Sequence, residues 1–332
     1  MFRRCLFWMH LACGVAAGLL IFFMSASGVL LTYEKQMIDW RDRANQVVLS
    51  DGERLLPVGE LALRAGQALP AGTPFSLVVA TEASRPAVAN AGRERLLLHP
   101  ASGELLPDAA AGMRAFMSTV KDWHRRLAGD TDSLRANLLD AANLLFVFIL
   151  VSGIFLWLPP VWRWQLMKLR LLPRTSYASS RMRDYSWHHV FGAWMLLPLL
   201  LIAVSGVVFS YPWANQLVFA AYGEAVPERR GPSPAAVPDA TVYTVSADGL
   251  VELASVAVAQ AATPGQSARR WLRFIHTGEV YGLAGQTVAG LASLAACLLA
   301  CTGMALAWRR LRASRVRRRR LQQVALPADA AC

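Results

Sequence analysis

Histidine is the side chain here with the most chemistry to offer, and its spacing repeats. His10 is followed by Gly14, Ser27, Gly28 and Tyr33, and His188 by Gly192, Ser205, Gly206 and Tyr211 at the same offsets. Each histidine opens an apolar run of membrane-spanning length. Five matched positions in two separated segments mark a doubled membrane unit that sets two equivalent imidazoles at one depth. Two imidazoles facing each other at a membrane surface are a ligand set for haem iron.

His124 and His276 lie just outside, or at the start of, the two returning helices, so each repeat supplies one imidazole at the inner surface and one at the outer. A single histidine at a helix end is commonly an interfacial residue with a satisfied hydrogen bond. Four of them in two matched pairs favour function, because ionisable groups in a membrane are costly. The pattern predicts two bis-histidine haems, His10 with His188 inside and His124 with His276 outside. Zinc and copper also accept imidazole, but a closed structural zinc site needs four ligands. No Cys, Asp or Glu recurs at matching positions beside these histidines. The chain has no C-x-x-C-H run, so the expected cofactor is haem b, held without thioether bonds.

Small residues accompany the histidines. Gly28 and Gly206 return to their histidine's face after five turns, about 27 Å further out. Ser152-Gly153 and Thr302-Gly303 lie toward the inner end of the returning helices. Each helix then offers a histidine at one surface and a bare patch, with room for a flat macrocycle, at the other. Plain small-residue helix packing gives the same pattern. Arg125, Arg126, Arg269, Arg270 and Arg273 stand near the outer histidines, either as partners for haem propionates or as ordinary surface charges.

The elements that must position these groups are membrane helices. The chain is 55% hydrophobic with a mean hydropathy of +0.34. Residues 6–31, 138–158, 188–211 and 283–308 each approach the roughly 20 apolar residues a span needs. The first run is longer than the core of a secretory signal and matches the third, so it reads as a retained helix. The net charge of +12 is not spread as on a nucleic-acid-binding face. Residues 1–4, 159–187 and 309–332 hold sixteen Lys/Arg against two acids, whereas 32–137 holds thirteen of each and 212–282 five against six. That asymmetry places both termini and the middle loop on the cytoplasmic side, with Arg317–Arg320 as a topology anchor on anionic lipid. Trp8, Trp157, Trp162, Trp164, Trp187 and Trp308 fall at the inner boundary, as expected of an aromatic belt. The five cysteines make no disulfide framework.

The expected architecture is a mainly α membrane protein of four transmembrane helices (5–32, 138–158, 188–212 and 283–308). It is arranged as two parallel helix–outer segment–helix repeats. An outer α+β domain occupies 33–137, with strands near 75–80 and 95–99. A second outer segment occupies 213–282, with a strand pair around Asp248-Gly249. A basic cytoplasmic loop (159–187) and tail (309–332) complete it.

These residues resemble the PepSY-associated transmembrane family, which includes bacterial periplasmic ferric-siderophore reductases. The resemblance is carried by HLACG from His10, WHRRL from Trp123, HHVFG from His188 and IHTGEVYG from Ile275. HPASGE from His99 is similar to the D-P-x-T-G-E turn of a PepSY domain, with His where Asp is usual, so His99 is a variant turn position. The resemblance implies that 33–137 is a periplasmic PepSY-like domain. It also implies that His10, His124, His188 and His276 hold two b-type haems, with His189 as the spare. The expected protein sits in the bacterial inner membrane and passes electrons from a cytoplasmic or membrane donor to a periplasmic acceptor, a ferric siderophore foremost. Two other functions compete: a haem-free PepSY-type regulatory or adaptor protein, and a metal transporter. The second would call for intramembrane carboxylates, and the four runs offer only Asp140, close to one end.

Overall fold

A computed structural model describes residues 1–50, 52–92, 94–130, 133–159, 161–227, 240–254 and 262–325, without the side chains of 317–325. The Arg317–Arg320 side chains, Cys332 and all but the first residue of the Pro-rich stretch 227–238 lie outside them. In chain order the elements are α1 (Phe2–Thr32), α2 (Glu34–Asp42), α3 (Val58–Ala68), β1 (Phe75–Ala80), β2 (Ala87–Ala91), β3 (Glu94–Leu98) and β4 (Leu105–Leu106). Then follow α4 (Ala111–Arg126), α5 (Leu134–Trp157), α6 (Trp164–Leu171), α7 (Ser180–Trp194), α8 (Leu196–Ser210) and α9 (Pro212–Ala220). Last come β5 (Ala240–Val245), β6 (Val251–Leu253), α10 (Pro264–Thr277) and α11 (Gly282–Ala325). They form two compact units: Met1–Tyr33, Thr119–Glu224 and the chain from Gly265 on make one, Glu34–Ser118 with Ala225–Pro264 the other.

The first unit is a helix bundle. Among the described residues α1, α5 and α11 are long and apolar enough to cross a membrane; α7 with α8 makes a fourth span only if the two are counted together, because they meet at 69°. The expected straight third helix is therefore broken. Pro198 explains the break: it has no N–H for the Trp194 carbonyl, and its ring crowds that carbonyl. The stretch 159–187, expected as a loop, holds α6 and the start of α7, whose N-cap Ser179 accepts from Met182 N at 3.2 Å. Leu150, Leu199, Ala203, Ala292 and Ala296 pack the centre of the bundle, while Leu19, Leu144, Phe155, Leu201, Leu291 and Leu294 face outward. So large an outward apolar surface belongs in lipid.

The second unit is a six-stranded antiparallel sheet in the order β4-β3-β2-β1-β5-β6. Strand alternation sends Phe75, Leu77, Ala87, Ala89 and Leu98 to one face, where Leu61, Ala62 and Ala65 of α3 cover them. Each large side chain buried there contributes roughly 1.5–3 kcal/mol. The stretch 213–282, expected as a second outer segment with a strand pair, contributes β5 and β6 to this sheet. β5 and β6 extend the sheet through Leu77↔Tyr243 and Val245↔Val251. At the β3–β4 turn the His99 ring takes the place of a carboxylate: Nδ1 accepts from Ala101 N (3.3 Å) and Ser102 N (3.2 Å). Gly103, at φ +70°, closes that turn.

Candidate functional site

Four histidines of the helical unit sit in four copies of one local arrangement. In each, a Ser or Thr followed by Gly on one helix meets the ring of a histidine from another part of the same repeat. Ser152 Oγ lies 2.8 Å from His10 Nδ1, and Ser27 Oγ lies 2.9 Å from His124 Nδ1. In the second repeat Thr302 Oγ1 lies 3.0 Å from His188 Nδ1, and Ser205 Oγ lies 3.0 Å from His276 Nδ1. Within each repeat the outgoing and returning limbs thus exchange a hydroxyl for an imidazole at both ends.

The proton positions follow from what else these atoms touch. Each hydroxyl donates back into its own helix: Ser27 to Phe23 O (2.8 Å), Ser152 to Ile149 O (3.1 Å), Ser205 to Leu201 O (2.8 Å) and Thr302 to Leu298 O (2.8 Å). Its oxygen is left to accept. Each histidine also finds the carbonyl three residues before that hydroxyl: Ile149 for His10, Met24 for His124, Leu299 for His188 and Ile202 (3.0 Å) for His276. A carbonyl only accepts, so Nδ1 of His276 carries the proton and its Nε2 keeps the lone pair; in the other three the hydroxyl, already donating along its own helix, favours the same tautomer. A ring fixed through one nitrogen with the other free is the usual state of a metal-ligating histidine.

The four group into two pairs at opposite ends of the bundle. His188 lies within electrostatic range of His10, and His124 within range of His276. His124 and His276 ride on α4 and α10, outside the spanning helices. The chain turns sharply after each, through left-handed Leu127 and Ala128 in one case and Gly278 in the other. Burial foremost, and then the neighbouring His276, push the His124 imidazole down to about 4; burial lowers His276 too. Both rings are therefore neutral at pH 7, as a ligand must be.

The glycines are not bare, contrary to expectation. A Cβ on Gly28 would lie 3.5 Å from His124 Cε1, on Gly153 3.7 Å from His10 Cε1, and on Gly303 3.3 Å from His188 Cε1. Their missing side chains let the imidazoles approach the helix backbone. Gly206 instead meets Asn143, whose Nδ2 donates to Ala203 O at 3.3 Å. Asn143 was not anticipated, although a lone Asn inside an apolar run is a visible signal. Neither was the tie between α7 and α11 made by buried Asp184, which pairs with Arg309 at 2.8 Å. His189 takes no part in the repeated arrangement: its Nδ1 reaches Tyr185 O of its own helix (2.9 Å) and its ring lies against Tyr185.

A family model for the PepSY-associated TM region matches residues 7–310. The chain belongs to that family. It is accordingly a multi-pass membrane protein, and the matched region spans all four histidines. No curated protein matches it.

The donor set suits haem. Neutral imidazoles come in pairs, and the described residues contain no group of three or more His, Cys, Asp or Glu of the kind that closes a zinc site. Each end also holds a buried N–H with no partner among the described residues, Arg126 Nε two residues after His124 and Trp157 Nε1 at the end of α5 that carries Ser152. Such a donor normally has an acceptor, and a propionate is one.

Proposed function

We propose that this protein is a bacterial inner-membrane electron carrier with two b-type haems. It takes electrons on the cytoplasmic side and delivers them to a periplasmic acceptor, foremost the iron of a ferric siderophore. The observation that carries this reading is the fourfold hydroxyl–imidazole arrangement, which holds four histidines through Nδ1 in two pairs. His10 and His188 would hold one haem, with Ser152 and Thr302 fixing their rings. His124 and His276 would hold the other, with Ser27 and Ser205 in that role. Haem, when bound, supplies a one-electron Fe(III)/Fe(II) couple. Ligation of each iron by two of these imidazoles would suit electron transfer and disfavour oxygen binding. The apolar bundle keeps water from the rings, and the Lys/Arg excess of the cytoplasmic segments sets the orientation. Reduction to Fe(II) weakens the hold of a siderophore and releases iron for uptake.

The test is reconstitution into sealed vesicles holding a reductant inside, with a ferric siderophore and a chromogenic Fe(II) chelator outside. Fe(II) should appear at a rate set by the haem-loaded protein and fall to the empty-vesicle rate in His124→Gln. Haem-loaded vesicles no faster than empty ones would rule out ferric chelates as the acceptor.

A further inference from the structure

The outer segments are nearly neutral as wholes, but their charges are sorted between the two units. The parts that join the helix bundle (119–137, 212–224 and 265–282) hold seven Lys/Arg and five Asp/Glu. The parts that join the sheet (34–118 and 225–264) hold eleven Lys/Arg and fourteen Asp/Glu. Segment totals hide this, because α4 and α10 carry the basic residues next to the outer histidines.

Two of these arginines are occupied. Arg126 pairs with Asp122 at 2.5 Å, and Arg269 Nε donates to Asn215 Oδ1 at 2.7 Å with its guanidinium over the Phe209 ring. Arg125, Arg270 and Arg273 are exposed and make no ion pair among the described residues; Arg273 rests over Phe274. Arg125 directly follows His124 and adds to its electrostatic field, and Arg273 precedes His276 by one helical turn. Three exposed guanidinium forks without ion pairs among the described residues thus lie on α4 and α10, within six residues of the outer histidines in the chain, and such forks match the oxygens of carboxylates and catecholates.

Resting on the function proposed above, we propose that Arg125, Arg270 and Arg273 form the docking surface for the electron acceptor, and that this acceptor is a ferric chelate of net negative charge. The protein gives one electron to the chelate's Fe(III), which becomes Fe(II). The arginines stay unchanged and act by raising the encounter rate, an effect that salt screens over about 8 Å at physiological ionic strength.

The test uses purified, haem-loaded protein, reduced with dithionite and freed of excess reductant. Its reoxidation is followed by stopped flow against two probes, the anionic Fe(III)–EDTA complex and a cationic ferric trihydroxamate. Each rate is compared between wild type and Arg270→Gln/Arg273→Gln, with Arg125→Gln as a second variant should the double one fold poorly. With the anionic probe the variant should be about tenfold slower and less sensitive to salt, while the cationic probe reacts as fast or faster. Equal slowing with both probes, or none with either, overturns the proposal. So do unchanged chelate rates with weaker retention on anionic lipid vesicles, which would make a lipid phosphate the ligand. Wild-type protein without haem, or not oxidised by any ferric chelate, would instead fail the underlying function.

Discussion

At each of the four histidines a helix hydroxyl meets Nδ1 and fixes the ring. Ser27→Ala or Thr302→Val should therefore leave the fold intact yet lower haem affinity about 10- to 100-fold, measured by transfer of haem to apomyoglobin. The glycines grade the same requirement. Gly303→Ala would put a methyl 3.3 Å from His188 Cε1, tighter than ordinary contact, whereas Gly153→Ala would sit at 3.7 Å from His10. The first should perturb the visible spectrum of the inner site and the second should not. Protonation gives an independent check. His124 titrates near 4 in the folded chain, against about 6.5 when unfolded. The unfolded chain binds the proton first as pH falls from about 6.5 to 4, so stability declines across that window while the folded ring stays neutral. Thermal stability of the haem-free protein should fall across that window; stability that stays flat between about pH 6.5 and 4 would mean an exposed ring.

The elements were legible where local pattern decides them and opaque where partners are distant. The apolar runs mark α1, α5 and α11, and alternation marks β1, because each signal lies within its own segment. The break between α7 and α8 is hidden in sequence because the long apolar run outweighs Pro198, the one residue there that cannot donate. That β5 and β6 pair beyond β1 was not legible at all, because register between strands some 160 residues apart leaves no local trace. The Ser-Gly and Thr-Gly pairs read in sequence as space for a macrocycle, and the fold sets an imidazole against each pair. The β3–β4 turn shows the opposite case, a substitution understood from sequence and then observed. His99→Asp should keep the turn and its stability, and His99→Ala should cost about 1 kcal/mol, read by chemical denaturation of the detergent-solubilised protein.

At the scale of the whole molecule, the doubled chain brings its histidines together in two pairs at opposite ends of one bundle, one ring from each repeat. That division explains why His189 has no counterpart role beside His188: the second repeat must present the ring that Thr302 and Gly303 accept, and His189 turns to Tyr185 instead. The central claim is that two haems are held by four named histidines. Its most direct test is haem quantified per chain, with oxidised and dithionite-reduced visible spectra, in wild type and in His188→Gln and His189→Gln. About two six-coordinate b-type haems in wild type and His189→Gln, with about one in His188→Gln, is the predicted result. A wild-type chain that stays haem-free after reconstitution with haemin, or equal haem loss in both variants, would contradict it.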